Sequence, residues 1–334
     1  RQLLLTMNIK LGSVFMNKFL ISLTACLMLV LTFVSGAEAK YPEKPITIVV
    51  VYGAGGSGDT TIRAIADYAR RTTGATVVVE NRAGGGGTIG VSFLSRAAPD
   101  GYTLGLVSTS PFTVTPYFKS VTYNPLKDFT YLGQYTVSPA PVIVLADSPF
   151  KTMEDLVAFG QKNPGKLRWA TGSPRGTNHI ATEAALRQNN IKGQFVPFKG
   201  GAKAMTALLA GNIEFAVVTD FGPALQNKQV RLLAESGPNK IKGHADIRTF
   251  KELGYKLTLP IFLGVGAPAG IPDEAVKFWE KVLLGVSTDP GFAKVLSKYL
   301  TPQAYLDSKA FTNRIHSGYT NTGKSLKALG LLDK

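Results

Sequence analysis

Hydrophobic and polar positions along this chain fall into two periods that alternate from end to end. Residues 46–52 (ITIVVVY) form an unbroken β-branched run, which predicts a strand buried on both faces. Over 60–73, Ile62, Ile65, Ala66 and Ala69 recur at helical spacing and Gly74 stops the segment. A second strand is predicted over 76–79, a short helix over 89–97, and Asp100-Gly101 turns the chain into a third strand over 102–107. Strands separated by helices predict a parallel sheet with right-handed crossovers.

A second series starts near Pro141. Strands are predicted over 142–146, 167–170, 194–197 and 214–218. Between them lie helices over 152–161, with Thr152 as N-cap, over 180–188 and over 202–210. A further strand is predicted over 262–267, and 273–334 reads as helix-rich. The expected class is α/β with two lobes, each a mainly parallel sheet flanked by helices.

The N-terminal 39 residues carry a different pattern. Lys18 precedes an almost wholly apolar run over 19–34, and Ala37-Glu38-Ala39 follows as a small-x-small exit. This order predicts a secretory signal peptide over 1–39, with a run shorter than the ~20 residues that span a bilayer. The only cysteine, Cys26, lies inside this segment. Leu23-Thr24-Ala25-Cys26 resembles a lipoprotein box, but the apolar stretch continues past the cysteine. Beyond residue 39 there is no cysteine, which excludes disulfides, thiol catalysis and thiolate metal sites there.

About 295 residues remain, enough for two lobes. The whole chain has 37 basic and 22 acidic residues, a net charge of +15. Arg1, Lys10, Lys18 and Glu38 account for +2, leaving +13. That charge favours anionic partners. The basic residues are scattered singly, whereas a nucleic-acid face would cluster them, so no nucleic-acid role is expected. His179, His244 and His316 form no H-E-x-x-H motif. Gly55-Gly56-Ser57-Gly58 is not a nucleophile elbow, because Asp59 stands where the last glycine belongs. No enzyme, metal or cofactor is expected.

Small polar loops follow the strands. Gly53, Gly55 and Gly58 fit G-x-G-x-x-G, and Glu80 closes the next strand where a dinucleotide fold places its ribose-binding acid. A Rossmann-type dinucleotide site is therefore one reading. Export, the second glycine run at Gly84–Gly87 and the lack of a hydride-transfer constellation weigh against it. The other reading is anion binding by backbone N–H groups at helix starts. With the loop at Gly53–Gly58, those at Val107-Ser108-Thr109-Ser110, at Thr171–Asn178 and at Lys199-Gly200-Gly201 make four, two in each half. Open α/β sheets bind ligands at such strand ends.

Several motifs together resemble one family. Tyr41-Pro42-Glu43-Lys44-Pro45-Ile46 is similar to the mature start of the substrate-binding proteins of tripartite tricarboxylate transporters, the TctC or Bug family. Ala54-Gly55-Gly56-x-x-Asp59, Val79-Glu80-Asn81-Arg82-x-Gly84-x-Gly86-Gly87-x-x-Gly90 and Ala98-Pro99-Asp100-Gly101-Tyr102-Thr103-Leu104 resemble its signatures. So do Gly176-Thr177-Asn178-His179, Val196-Pro197-Phe198-Lys199-Gly200 and Ala267-Pro268-Ala269-Gly270-Ile271-Pro272. The resemblance implies a type II-like periplasmic binding protein fold joined by two hinge crossings. One lobe would comprise 40–138 and 264–334, the other 139–263. It also implies a small carboxylate ligand, delivery to a transporter of one large and one small membrane subunit, and a monomeric receptor.

By the same resemblance the loops Ala54 to Asp59 and Ser173 to His179 grip the carboxylate. Tyr52 stands where phenylalanine is frequent and adds a hydroxyl. Ser57, Asp59, Thr177 and Asn178 divide between capping their helices and touching the ligand. Arg175 could pair a second acid group or stay solvated. His179 either presents its ring to the cleft or is structural, Thr109, Ser110 and Asp220 end strands facing the cleft, and Phe198 is either a cleft wall or core.

Overall fold

A computed structural model describes residues 41–332, of which those from Lys44 onward form one compact unit. The expected signal peptide and Cys26 lie outside the described residues.

The first sheet starts as expected. Strand β1 (Ile46–Val50) pairs in parallel with β2 (Val77–Asn81) and with β3 (Thr103–Ser108). Helices α1 (Ser57–Thr73) and α2 (Thr88–Leu94) make the crossovers. α1 starts three residues before the predicted 60, because Gly56 is extended (φ −79°, ψ 172°) and acts as N-cap. Its apolar stripe, Ile62, Ile65, Ala66 and Ala69, is buried. After β3 the chain makes a wide π-type turn over Ser110–Val114.

Strand β4 (Phe129–Val137) was not legible in the sequence. Its buried Gln134 and Thr136 interrupt the apolar pattern, and both donate to carbonyls of the late chain, Ala304 and Pro302, at 2.6 Å. From β4 the chain passes through 138–140 into β5 (Pro141–Leu145) of a second sheet. Helix α3 (Met153–Lys162), strand β6 (Arg168–Thr171), helix α4 (Thr177–Gln188) and strand β7 (Gln194–Phe195) follow. Helix α5 (Gly201–Leu209), strand β8 (Phe215–Val217), short helix α6 (Gly222–Gln226) and strand β9 (Val230–Glu235) complete this half.

The chain then returns through 236–261 to β10 (Phe262–Pro268), which inserts antiparallel between β3 and β4. Helices α7 (Asp273–Val286) and α8 (Pro290–Ser297), strand β11 (Gln303–Leu306) and helix α9 (Ser308–Ala328) close the fold. The sheet orders are β11-β4-β10-β3-β1-β2 and β7-β6-β8-β5-β9.

The α/β class holds, but both sheets are mixed rather than mainly parallel. Strands linked by a crossover helix run parallel: β1 with β2 and β3, β6 with β7 and β8. β10 arrives from the other sheet, and β5 and β9 flank the second sheet's passages; these strands pair antiparallel. Phe262 and Leu263, read with the second lobe, pair with β4 and β3 in the first sheet. The second sheet holds Val142, Trp169, Phe215 and Leu233 in a core on one face and Ile143, Ala170, Ala216 and Leu232 on the other.

Candidate functional site

The loops that leave β1, β3, β6, β7 and β8 at their C-terminal ends meet around one cavity between the two sheets, with a void of about 790 Å³ open to solvent. Three helices begin there: α1, α4 and α5. Their N-cap residues are Gly56, Gly176 and Gly200, and none gives its helix a side-chain cap. The first backbone N–H groups of a helix have no partner within it, and they carry the positive end of its dipole.

Two of these helix ends are capped from the opposite side. The N–H of Ser57, at the start of α1, donates to Asp220 Oδ1, just beyond β8 of the other sheet (2.5 Å). The N–H of Thr177, at the start of α4, donates to Ser110 Oγ, just beyond β3 of the first sheet (3.0 Å). Side chains tighten the same two seams: Ser57 Oγ lies 2.9 Å from Thr219 Oγ1, and Ser110 Oγ lies 3.0 Å from Thr177 Oγ1. Each lobe supplies the cap that the other lobe's helix lacks.

Room for Asp220 is made by glycine. A Cβ on Gly201, the first residue of α5, would stand 1.8 Å from Asp220 Oδ2, and one on Gly56 would stand 3.1 Å from Oδ1. Burial raises the Asp220 carboxyl above the usual range, against hydrogen bonds from Ser57 and Thr219 that lower it. Asp59 goes the other way. Burial alone would raise it, but Arg63 and the bonds from the Gly55 N–H (2.9 Å) and Asn81 Nδ2 (2.9 Å) outweigh that and hold it low. Asp59 therefore braces the first glycine loop from inside its own helix; it does not cap α1.

On the other wall, Tyr52 Oη lies 2.7 Å from Ser108 Oγ, and burial raises its phenol. Thr109 lines the cavity with its Oγ1 already accepting the Phe262 N–H (2.9 Å). Asn178 donates through Nδ2 to the Val217 carbonyl (3.1 Å), leaving its buried Oδ1 without a partner among the described residues.

Of the residues expected at the site, Tyr52, Ala54, Gly56, Ser57 and Asp59 line the cavity from the first sheet, joined by Thr109 and Ser110. Ser173, Asn178 and Asp220 line it from the second. Five others do not. Gly55 and Thr177 stand behind the lining, holding Asp59 and Ser110. His179 is turned away: it stacks on Phe195 at 3.8 Å, meets Trp169 edge-on, accepts the Arg175 N–H at Nδ1 and faces Glu183 through Nε2. Arg175 Nη1 donates to the Phe118 carbonyl, and Phe198 packs against the core of the second sheet. The residue before a helix start can point to either side of it, and sequence spacing does not say which.

Sequence reasoning placed Ser108 in a strand-end loop without assigning it to the site and left out Thr219, Lys203, Ile261 and Leu263; all five line the cavity. Thr219 neighbours Asp220, which was singled out, so the strand-end rule could have found it. Ile261 and Leu263 enter only because β10 returns to the first sheet. Glu80, the acid of the dinucleotide reading, pairs with Arg82 at 2.8 Å, and the carboxylate of Asp220 stands at the α1 N-terminus where a pyrophosphate would sit.

Two sheets with facing strand ends and a cavity between them have the architecture of periplasmic solute-binding proteins. The family model described as "Tripartite tricarboxylate transporter family receptor" matches residues 61–331, and the chain belongs to that family. It is 30% identical to the "UPF0065 protein in gbd 5'region" of Cupriavidus necator, over 81% of this chain and 83% of that protein. A solved structure described as that of a periplasmic transporter shares 29% identity and covers 88% of this chain and 100% of its own, with a TM-score of 0.82. The periplasmic binding protein BugD is 27% identical with the same coverage and a TM-score of 0.80.

Proposed function

We propose that this protein is exported to the periplasm, captures a small organic carboxylate between its lobes and presents the closed form to membrane transporter subunits. The observation that carries the ligand class is the convergence of three glycine-started helices on one cavity. Such ends hold negative charge with backbone N–H groups and leave no side chain in the way. Tyr52, Ser108, Ser110 and Ser173 add hydroxyls that suit carboxylate oxygens, and Lys199 and Lys203 add positive charge at the rim.

Closure follows from the reciprocal caps. Opening the lobes breaks Ser57–Asp220 and Thr177–Ser110 and exposes both helix ends at once. A carboxylate that takes the remaining cleft N–H groups and the hydroxyls of both lobes, beside the N–H groups bonded to Asp220 and Ser110, is fully held only when the lobes approach, so it shifts the population toward the closed form.

Thermal unfolding of the mature chain against a panel of small carboxylates, with NAD as control, tests this. A true ligand at ~100 times its dissociation constant adds about 2.7 kcal/mol of stability. A rise in midpoint with one class of carboxylate and none with NAD is the expected result. A rise with NAD alone would overturn it in favour of the dinucleotide reading, and a shift accompanied by product formation would make the protein an enzyme.

A further inference from the structure

The second glycine run, Gly84–Gly87, and the side chain of Arg175 take no part in the cavity just described. They meet elsewhere, in a second pocket with a void of about 910 Å³. This vestibule shares Tyr52, Gly172 and Lys199 with the main cavity and lies on their other side. Both lobes build it. The glycine run and Lys119 come from the first, and Pro174, Arg175 and Lys199 come from the second.

The lobes approach closely here. A Cβ on Gly86 would stand 2.7 Å from the Pro174 carbonyl oxygen, and Ser173 Oγ donates to the Gly86 carbonyl at 3.0 Å. The approach brings three cations to one pocket, and no carboxylate lines it among the described residues. None of Lys119, Arg175 and Lys199 is in an ion pair among those residues. Lys119 and Arg175 are held in place instead by carbonyls: Lys119 Nζ donates to Gly85 O and Arg175 Nη1 to Phe118 O, both at 2.9 Å. Burial lowers the Lys119 ammonium, and the nearby Arg175 charge lowers it further. Like charges pressed together across a closing seam oppose closure unless an anion lies between them.

We propose that this vestibule is a second anion site, taking a small inorganic oxyanion or free carboxylate between Lys119 of one lobe and Arg175 and Lys199 of the other. Tyr52 and Gly172 stand between it and the main cavity, so the occupant is a separate anion and not the tail of the cavity ligand. An anion there neutralises the repulsion and ties the two lobes together at the mouth. Arg175 thus recognises an acid group, as its chemistry allows, but outside the cavity.

Sulfate titrated at constant ionic strength, with chloride as the exchanged ion, tests the site by thermal unfolding of the full protein. The expected result is a saturable rise in midpoint that is lost in K119Q/R175Q, each protein being compared with its own sulfate-free midpoint. Those two side chains also brace carbonyls, so a second reading comes, with K203Q in the main cavity alone as its control, from K199Q, whose side chain makes no hydrogen bond or ion pair among the described residues. Its sulfate affinity should fall about tenfold, the loss of one charge-assisted contact. No saturable rise in the wild type, or a rise unchanged in both variants, overturns the proposal. Binding of a carboxylate from the panel should survive in K119Q/R175Q, so failure of the vestibule and failure of the main cavity give different results.

Discussion

Three helices away from the cleft, α3, α8 and α9, begin differently from the three that open on it. α3 starts under a capping box, with Thr152 accepting the Asp155 N–H and Asp155 accepting the Thr152 N–H. α8 and α9 start under Asp289 and Asp307, which accept the N–H groups of Phe292 (2.8 Å) and Ala310 (2.7 Å). The cleft helices α1, α4 and α5 start under glycine. A cap of their own would stabilise them by about 1 kcal/mol each, but it would hold the helix end equally in the open and the closed form. At the cleft the caps come from the opposite lobe, as Asp220 and Ser110, and can leave when the lobes part. Local stability has been given up there in exchange for a surface that changes with closure.

The sharpest way to break this contrast is to put a side chain where glycine opens the site. Gly201→Ala drives a Cβ into the Asp220 carboxylate and displaces it from Ser57. Carboxylate affinity should fall about 100-fold, with a stability loss of about 1–3 kcal/mol from overpacking. Equal affinity in calorimetry would show that the cleft does not need that glycine.

Glu235 is a second carboxylate that serves backbone donors far from any helix start. Buried at the end of β9, it accepts N–H groups of Ala140 and Gly237, joining the two passages between the sheets. Burial pushes its carboxyl up to about 7, against those bonds, which lower it. The folded form therefore holds a proton that the unfolded chain has lost. This contribution is fully present below the unfolded value of 4.5 and disappears as pH rises through about 7. Urea unfolding should lose about 3 kcal/mol of stability over that window relative to Glu235→Gln. Parallel pH profiles for the two proteins would remove Glu235 from the account.

Asp220→Asn keeps an acceptor for the Ser57 N–H and removes a negative charge from the cleft. Binding of a dicarboxylate should tighten about tenfold, the worth of one relieved charge–charge contact. Weaker binding in the same titration would mean that the ligand brings a cationic group to Asp220.

The smallest effects separate the two kinds of cap. Asp307→Ala should cost about 1 kcal/mol of stability and leave ligand affinity unchanged. Ser110→Ala should cost a similar amount, but it should also shift the unliganded protein toward the open form, visible as a larger radius of gyration in scattering. Identical scattering for the two variants would put the cross-lobe cap in doubt.

Much of this was written in the sequence. β1 announced itself as a β-branched run because a strand covered on both faces has no polar side to show. Thr152 was legible as a cap because its partner lies three residues away. Glycine-rich loops after strands pointed to the cavity, and the motifs carried the family. β4 was hidden, since Gln134 and Thr136 are buried only because carbonyls of the distant 302–304 segment accept their hydrogen bonds. The antiparallel entry of β10 was hidden for the same reason: pairing direction depends on where the chain has been between sheets. Tertiary structure alone also decided that His179 turns to Phe195 while its neighbour Asn178 faces the cavity. Residues adjacent in sequence diverge by about 100° around a helix, so the side each one takes is settled by the packing of the whole lobe. Local pattern determined which segments are strands, helices and open helix ends; which lobe caps which helix was decided only when the two sheets came together.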